Sequence, residues 1–131
     1  MAHRLGVTSI QDAQVDGRML KAFSDGSIGA GTVAMSRPYI DNPERSGLLI
    51  WDKEKLEEIV LKAHKNNIQF AIHAIGDRAI TLVLDCLEKA NSQQEKDLRH
   101  RIEHAEMITP KQIIRMKKMK IIASMQPNFI G

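Results

Sequence analysis

The spacing of hydrophobic and polar positions predicts three helices in the part of the chain that follows residue 50. In each helix apolar residues recur three or four positions apart, so they share one helical face. Asp52 and Asp77 precede the first two helices and are available as caps, although Asp77 could instead support a ligand. Thr109 and Gln112 form the capping-box pattern of the third helix. The predicted helices cover residues 53–66, 78–92 and 109–120.

Short apolar runs alternate with these helices and predict buried strands. Polar residues bound most of these runs, and Pro127 ends the last one. Strand, helix and strand following one another in this way are typical of βα units on a parallel sheet. The predicted strands cover residues 6–13, 18–26, 69–75, 100–105 and 121–127.

Two architectures built on a parallel sheet fit this order of strands and helices: a doubly wound sheet and a (β/α)8 barrel. Doubly wound nucleotide-binding sheets usually carry a GxGxxG or GxxxxGK(S/T) sequence. The chain has neither, since DGSIGAG at 25–31 lacks the Lys-Ser/Thr pair. A complete (β/α)8 barrel needs about 250 residues, and this chain has 131. We therefore predict a single α/β domain over residues 1–131, a partial (β/α)8 barrel of about five parallel strands, with a flavodoxin-like domain as the alternative.

Composition and charge narrow the classes of function. Hydrophobic residues make up 43% and charged residues 27%, and no run of about 18 apolar residues predicts a membrane span. The net charge of +3 comes from scattered basic residues, and the few aromatic residues form no base-stacking platform. We expect neither a nucleic-acid nor a membrane partner. The lone Cys86 in an apolar helical pattern, with no secretory signal, predicts a buried thiol and a cytoplasmic location.

Two histidines fall at the ends of predicted strands. His73 ends FAIH and His104 ends RIEH, and catalytic groups of parallel barrels lie at these carboxyl ends. Imidazoles from adjacent strands would lie within several ångströms of each other, as a metal site requires. Metal ligation is one interpretation, and a hydrogen-bonded core histidine is the other. His64 is expected to be solvated on its helix, and His100 lies at the opposite end of its strand.

Three further charged residues lie in predicted strands. Lys21 is unusual in an apolar strand, because an ammonium group there needs a partner or a chemical modification. Its partner could be a carboxylate of the following loop, either Asp25 or Asp41. Arg101 and Glu103 alternate on one strand and are expected to form an ion pair between the strand and helix layers.

Four stretches of the chain together resemble the amidohydrolase superfamily. They are LKAFSDGSIGAGTVAMSRPY, GLLIWDKEKLEEIVLKAHKNNIQFAIHAIGDRAI, RHRIEHAEMI and IIASMQPNF, and they are similar to the amidohydrolase-3 group, which includes N-substituted formamide deformylases. The resemblance implies a metal-binding barrel in which His73 and His104 end successive strands as ligands. It also implies that Lys21, just before the FxDGS motif, bridges two metals as a carbamate. The implied cofactor is a divalent metal, zinc above all, as one or two ions.

The chain departs from the family pattern at several places. The family takes an HxH pair from its first strand and an aspartate base from its last, but no HxH occurs here and the sequence ends at Gly131, just past the strand-seven match. Only QVDGR separates the strand-two match from the lysine strand, which leaves no room for strand three. Gly31 stands where the family often has an arginine.

Two hypotheses about function follow. The first is a metal-dependent hydrolase of C–N bonds other than peptide bonds, acting on a small-molecule substrate through a metal-activated water. The chain would be a fragment or truncated relative, inactive alone, with Lys21, His73 and His104 as catalytic residues and metal ligands. The alternative is a catalytically inactive remnant or a half-barrel interaction module. A homo-oligomer is expected, because an open parallel sheet exposes edge strands and an apolar face.

Overall fold

The computed structural model describes residues 19–126, in which four parallel strands alternate with three helices. The strands form one sheet in the order β1-β2-β3-β4, so each strand lies beside the next one along the chain. This α/β arrangement is consistent with part of a barrel. It confirms four predicted strands and all three helices, while the strand at 6–13 lies outside the described residues. The elements are β1 Met19–Phe23, α1 Lys53–Lys65, β2 Gln69–Ala74, α2 Asp77–Gln93, β3 Arg101–His104, α3 Pro110–Lys118 and β4 Ile122–Ser124.

The helices cover one face of the sheet and form the hydrophobic core with it. Phe70, Ile72 and Ile102 are completely buried in a cluster with apolar side chains of the helices. Cys86 lies in the same cluster, as predicted, and burial raises the pKa of its thiol to about 12. The helices are amphipathic, and none within residues 19–126 has the length and apolar composition needed to cross a membrane.

The opposite face of the sheet carries partly exposed side chains. Phe23, His73, Glu103 and Ser124 are in register across the four strands. The side chain of Phe23 is 49% exposed, so no described residue covers this face fully at β1. Within residues 19–126, the edge strands β1 and β4 each pair with a single neighbour.

The predicted ion pair of Arg101 and Glu103 forms, but within β3 and not between the strand and helix layers. Arg101 Nε donates to Glu103 Oε1 at 2.7 Å, and Arg101 Nη2 donates to Ser124 Oγ at 2.8 Å. Burial alone would raise the pKa of Glu103, yet hydrogen bonds from Arg101 and Ser124 outweigh it and lower that pKa. Residues two apart on a strand share a face, and this brings the two charges together.

The helix starts agree only in part with the caps predicted from sequence. α3 begins with the predicted capping box, in which Gln112 N–H donates to Thr109 Oγ1 at 3.4 Å and Thr109 N–H donates to Gln112 Oε1 at 2.8 Å. Asp52 is the N-cap residue of α1, but its side chain makes no capping hydrogen bond and lies 3.2 Å from Lys55 Nζ. The cap predicted for Asp77 is wrong, because α2 begins at Asp77 itself.

Asp77 instead holds the long connection between β1 and α1 against α2. Its carboxylate accepts hydrogen bonds from the backbone N–H of Ser36, at 2.7 Å, and from the Ser36 hydroxyl. Arg78 donates to the carbonyl oxygen of Gly47 at 3.0 Å. These contacts fix the connection over the N-terminal end of α2, beside the carboxyl edge of the sheet.

Replacing Gly47 by alanine is expected to lower the free energy of unfolding by about 2–5 kcal/mol. Gly47 has a φ of +73°, and a Cβ there would lie 1.8 Å from the carbonyl oxygen of Val33. A left-handed backbone costs other residues about 1–2 kcal/mol, and overpacking adds about 1–3 kcal/mol. Urea denaturation measures the loss. Gly29→Ala is the matched control, since a Cβ at Gly29 meets nothing within 4 Å; equal losses in the two variants would contradict this reasoning.

His64 is buried and not solvated, which corrects the expectation from sequence. The residue is 2% exposed, its Nδ1 lies 3.1 Å from His100 Nε2, and its Nε2 lies 2.7 Å from the carbonyl oxygen of Gln94. The N–H of Phe70 donates to His100 Nδ1 at 3.0 Å. Because Phe70 can only donate here and Gln94 can only accept, both imidazoles are neutral and carry their protons on Nε2. This pair lies at the amino ends of the strands.

Candidate metal centre

A cavity of about 400 Å³ opens at the carboxyl edge of the sheet, where parallel barrels carry their active sites. Its walls come from the loop after β1, the turn after β2 and the end of β3. The two histidines predicted as ligands lie in this wall together. The lining residues are Ser27, Ile28, Gly29, His73, Ile75, His104, Glu106 and Gln126.

His73 is held with one ring nitrogen turned towards the β1 loop. Its Nε2 lies 3.0 Å from the carbonyl oxygen of Gly26 and 3.5 Å from Oδ1 of Asp25, and its side chain is 12% exposed. Both neighbours are acceptors, so Nε2 carries a proton, and in the neutral ring the lone pair is on Nδ1. This is the form of imidazole that binds a metal.

His104 reaches the cavity because the backbone leaves the strand geometry at this residue. His104 has a φ of +74° and Ala105 a φ of +51°. Strict alternation would place the His104 side chain on the same face as Ile102, towards the helices. The left-handed turn, secured by the hydrogen bond from Ala105 N–H to the Ala74 carbonyl oxygen at 3.1 Å, ends the strand instead. Such a backbone costs a non-glycine residue about 1–3 kcal/mol and clusters at functional sites.

The two imidazoles meet edge to face at the cavity wall. Their ring centroids lie 4.6 Å apart, with an angle of 69° between the ring planes. Zinc binds imidazole nitrogens at about 2.0–2.1 Å, and rings this close can reach one cation. The prediction that His73 and His104 come together is therefore met by the geometry, and their role as ligands stays a proposal.

The third residue predicted as a ligand, Lys21, lies in β1 and pairs with Ala71 of β2. Its side chain is outside the described part of the structure, so its role and its pairing with Asp25 or Asp41 stay predictions. Among the side chains that are described, no third His, Cys, Asp or Glu completes a group that could hold a metal. A metal site with three protein ligands therefore needs one ligand from outside the described His, Cys, Asp and Glu side chains.

Two carboxylates beside the histidines were not identified as site residues from the sequence. Asp25 lies 3.5 Å from His73, and Oε1 of Glu106 lies 3.8 Å from Nδ1 of His104. Each acid follows the last residue of a parallel strand by two positions. That position, at the carboxyl edge of the sheet, is the sequence signal that could have identified both.

Comparison with known proteins assigns the chain to a family. The amidohydrolase family matches residues 2–130. The protein LONG AFTER FAR-RED 3 of Arabidopsis thaliana is 41% identical over 112 residues, which are 85% of this chain and 19% of that protein. An N-substituted formamide deformylase of Arthrobacter pascens is 36% identical over 59 residues, 45% of this chain and 11% of that protein.

Solved structures give the same result for the fold. An uncharacterized metal-dependent hydrolase from Pyrococcus horikoshii superposes with a TM-score of 0.78 at 37% identity, covering 98% of this chain and 26% of that one. The matched part of this chain thus covers about a tenth to a quarter of the length of these relatives. With nearly every residue matched by one family, the conclusion is direct: the chain belongs to the amidohydrolase family.

Proposed function

We propose that this chain is part of a metal-dependent hydrolase that cleaves a C–N bond, other than a peptide bond, in a small-molecule substrate. Lys21, His73 and His104 are the proposed catalytic residues and metal ligands, with one or two zinc ions as the cofactor. The observation that carries the proposal is the meeting of His73 and His104, with ring centroids 4.6 Å apart, in the wall of one cavity. Membership of the amidohydrolase family supports it.

The donor set suits zinc by its chemistry. Neutral imidazoles are common zinc ligands, and a carbamate on Lys21 would add an oxygen ligand. His73 has its Nδ1 lone pair available because its Nε2 donates to Gly26. When bound, the metal polarises the carbonyl group of the substrate and lowers the pKa of a bound water.

The residues of this chain hold the ligands in place and shape the substrate cavity. The hydrogen bond from His73 to Gly26 and the left-handed turn at His104 hold both rings in position without a metal. Ile28 and Ile75 form an apolar part of the cavity wall, beside the two histidines. An apolar substituent on the substrate nitrogen would pack against these side chains, and the amide group would face the histidines.

Metal analysis tests the proposal. The purified chain, loaded with zinc and passed over a desalting column, is expected to retain zinc weakly, at less than one equivalent. Since the sequence contains no HxH pair, we expect the 131-residue chain alone to hydrolyse amides and formamides far more slowly than a complete family member. A chain that retains no zinc under any loading condition would contradict the proposed function.

We also propose that the chain associates with itself through its open sheet. Phe23 is 49% exposed on the face away from the helices, and Met125, just after β4, is 43% exposed. Burial of apolar area at about 25 cal/mol per Å² favours covering such a face. Analytical ultracentrifugation is expected to show dimers or larger species in the micromolar range. Replacing Phe23 by lysine should shift the chain to monomers, and a wild-type monomer at all concentrations would contradict self-association.

A further inference from the structure

The loop that follows β1 contains a buried carboxylate that is not among the proposed ligands. Asp25 is 1% exposed. Its Oδ2 accepts hydrogen bonds from the N–H groups of Ala34, at 3.1 Å, and Gly76, at 2.8 Å, while its Oδ1 accepts one from the N–H of Ile75 at 3.1 Å. One carboxylate therefore ties together the start of the β1 loop, a later part of that loop and the turn between β2 and α2.

The same carboxylate faces the imidazole of His73. Oδ1 of Asp25 lies 3.5 Å from Nε2 of His73. The carbonyl oxygen of Gly26, the next residue, lies 3.0 Å from that nitrogen and accepts its hydrogen bond. A carboxylate partner of a ligating histidine fixes the tautomer and the ring orientation. The Nδ1 atom of His73 is then the nitrogen left for a metal.

Three backbone N–H groups donate to the two oxygens of Asp25, and Nε2 of His73 lies 3.5 Å from one of them. Only acceptor oxygens suit this set of donors, and a carboxylate supplies two of them. An asparagine would offer a single acceptor oxygen and would place its own NH₂ group against N–H donors. The backbone leaves little room to adjust, because a Cβ at Gly76 would lie 2.0 Å from the carbonyl oxygen of Ala34.

We infer that Asp25 is a positioning residue of the metal site: it fixes the loop that carries the Gly26 carbonyl, so that this carbonyl and the nearby carboxylate hold His73 as the Nε2–H tautomer and leave its Nδ1 for a metal. The inference rests on the proposed function where it treats His73 as a metal ligand. The tautomer of His73 in the metal-free chain is independent of that function. Asp25 thus acts through His73 and through the loops on either side of it.

Nitrogen NMR of the histidine rings tests the inference on the metal-free wild-type chain at pH 8. His73 is expected to carry its proton on Nε2, and a proton found mainly on Nδ1 would overturn the inference without any variant. In Asp25→Asn, which preserves the size of the side chain, we expect both tautomers to be populated. Cobalt(II) titration is expected to give a dissociation constant about 10–100-fold higher than wild type.

The control for Asp25→Asn is Asp52→Asn, the same change at a side chain that is 70% exposed. It is expected to leave the His73 tautomer and the cobalt affinity unchanged. An Asp25→Asn variant with the wild-type tautomer and a dissociation constant within twofold of wild type would overturn the inference. If that variant fails to fold by circular dichroism, a wild-type His73 with its proton mainly on Nδ1 still overturns the inference. If His73→Ala keeps the wild-type cobalt affinity, the proposed ligation fails, whereas the role of Asp25 in setting the tautomer is still judged by NMR.

Discussion

Replacing both His73 and His104 by alanine is expected to abolish zinc binding by the chain. The two rings lie together in the cavity wall, with centroids 4.6 Å apart. Each single replacement removes one of the proposed ligands, and we expect it to weaken binding by at least about 100-fold, the upper end of what loss of an outer partner costs. Elemental analysis after zinc loading and desalting measures the bound metal.

A histidine elsewhere in the chain provides the control for this experiment. His3 lies outside both the predicted strand ends and the described residues. His3→Ala should retain the zinc content of the wild type, which separates loss of the site from loss of a histidine in general. Unchanged zinc content in the double variant, with an unchanged circular dichroism spectrum, would show that the ligand assignment is wrong.

Acidification from pH 7 to pH 4 is expected to lower the free energy of unfolding by about 3 kcal/mol through His100. Burial, followed by the neighbouring His64, lowers the pKa of His100 from 6.5 to about 4. The unfolded chain, with the ordinary pKa, binds the proton first, so this stability is complete above pH 6.5 and is lost as the pH falls towards 4. Each pKa unit corresponds to about 1.4 kcal/mol. Urea denaturation at several pH values measures the loss.

A variant without the titrating ring isolates this contribution. In His100→Asn, an amide oxygen can still accept the hydrogen bond from the N–H of Phe70, but no group titrates at this position. We expect the variant to be less stable than the wild type at pH 7.5, because His64 loses its hydrogen-bond donor. Its stability should fall less steeply between pH 6.5 and 4. Parallel slopes in the two proteins would contradict the role given to His100.

The regular elements were predictable because local patterns determine them. The apolar spacing of α2 and the apolar run of β2 are complete within their own segments, and the capping box of Thr109 involves only a residue three positions away. Asp77 and His64 were misjudged for the opposite reason. The partner of Asp77 is Ser36, 41 positions away, and that of His64 is His100, 36 positions away. Contacts between residues that are far apart in the sequence cannot be predicted from the local pattern around either residue.

In the site, too, some features could be predicted from the sequence and others could not. The meeting of His73 and His104 was predictable, because parallel strands bring their carboxyl ends to one edge of a sheet. The left-handed backbone at His104 was not, since no glycine marks it. Nor does the sequence reveal that backbone N–H groups converge on Asp25. The residue types in a sequence indicate the chemistry of the side chains, whereas these features depend on the path of the backbone in the folded chain.

X-ray absorption at the zinc edge of the zinc-loaded chain tests whether His73 and His104 bind one metal ion. We expect nitrogen or oxygen neighbours at about 2.0–2.1 Å, with the outer-shell pattern of two imidazoles, and loss of that pattern in the His73→Ala and His104→Ala double variant. Zinc held without imidazole, or by sulfur at about 2.3 Å, would contradict this expectation.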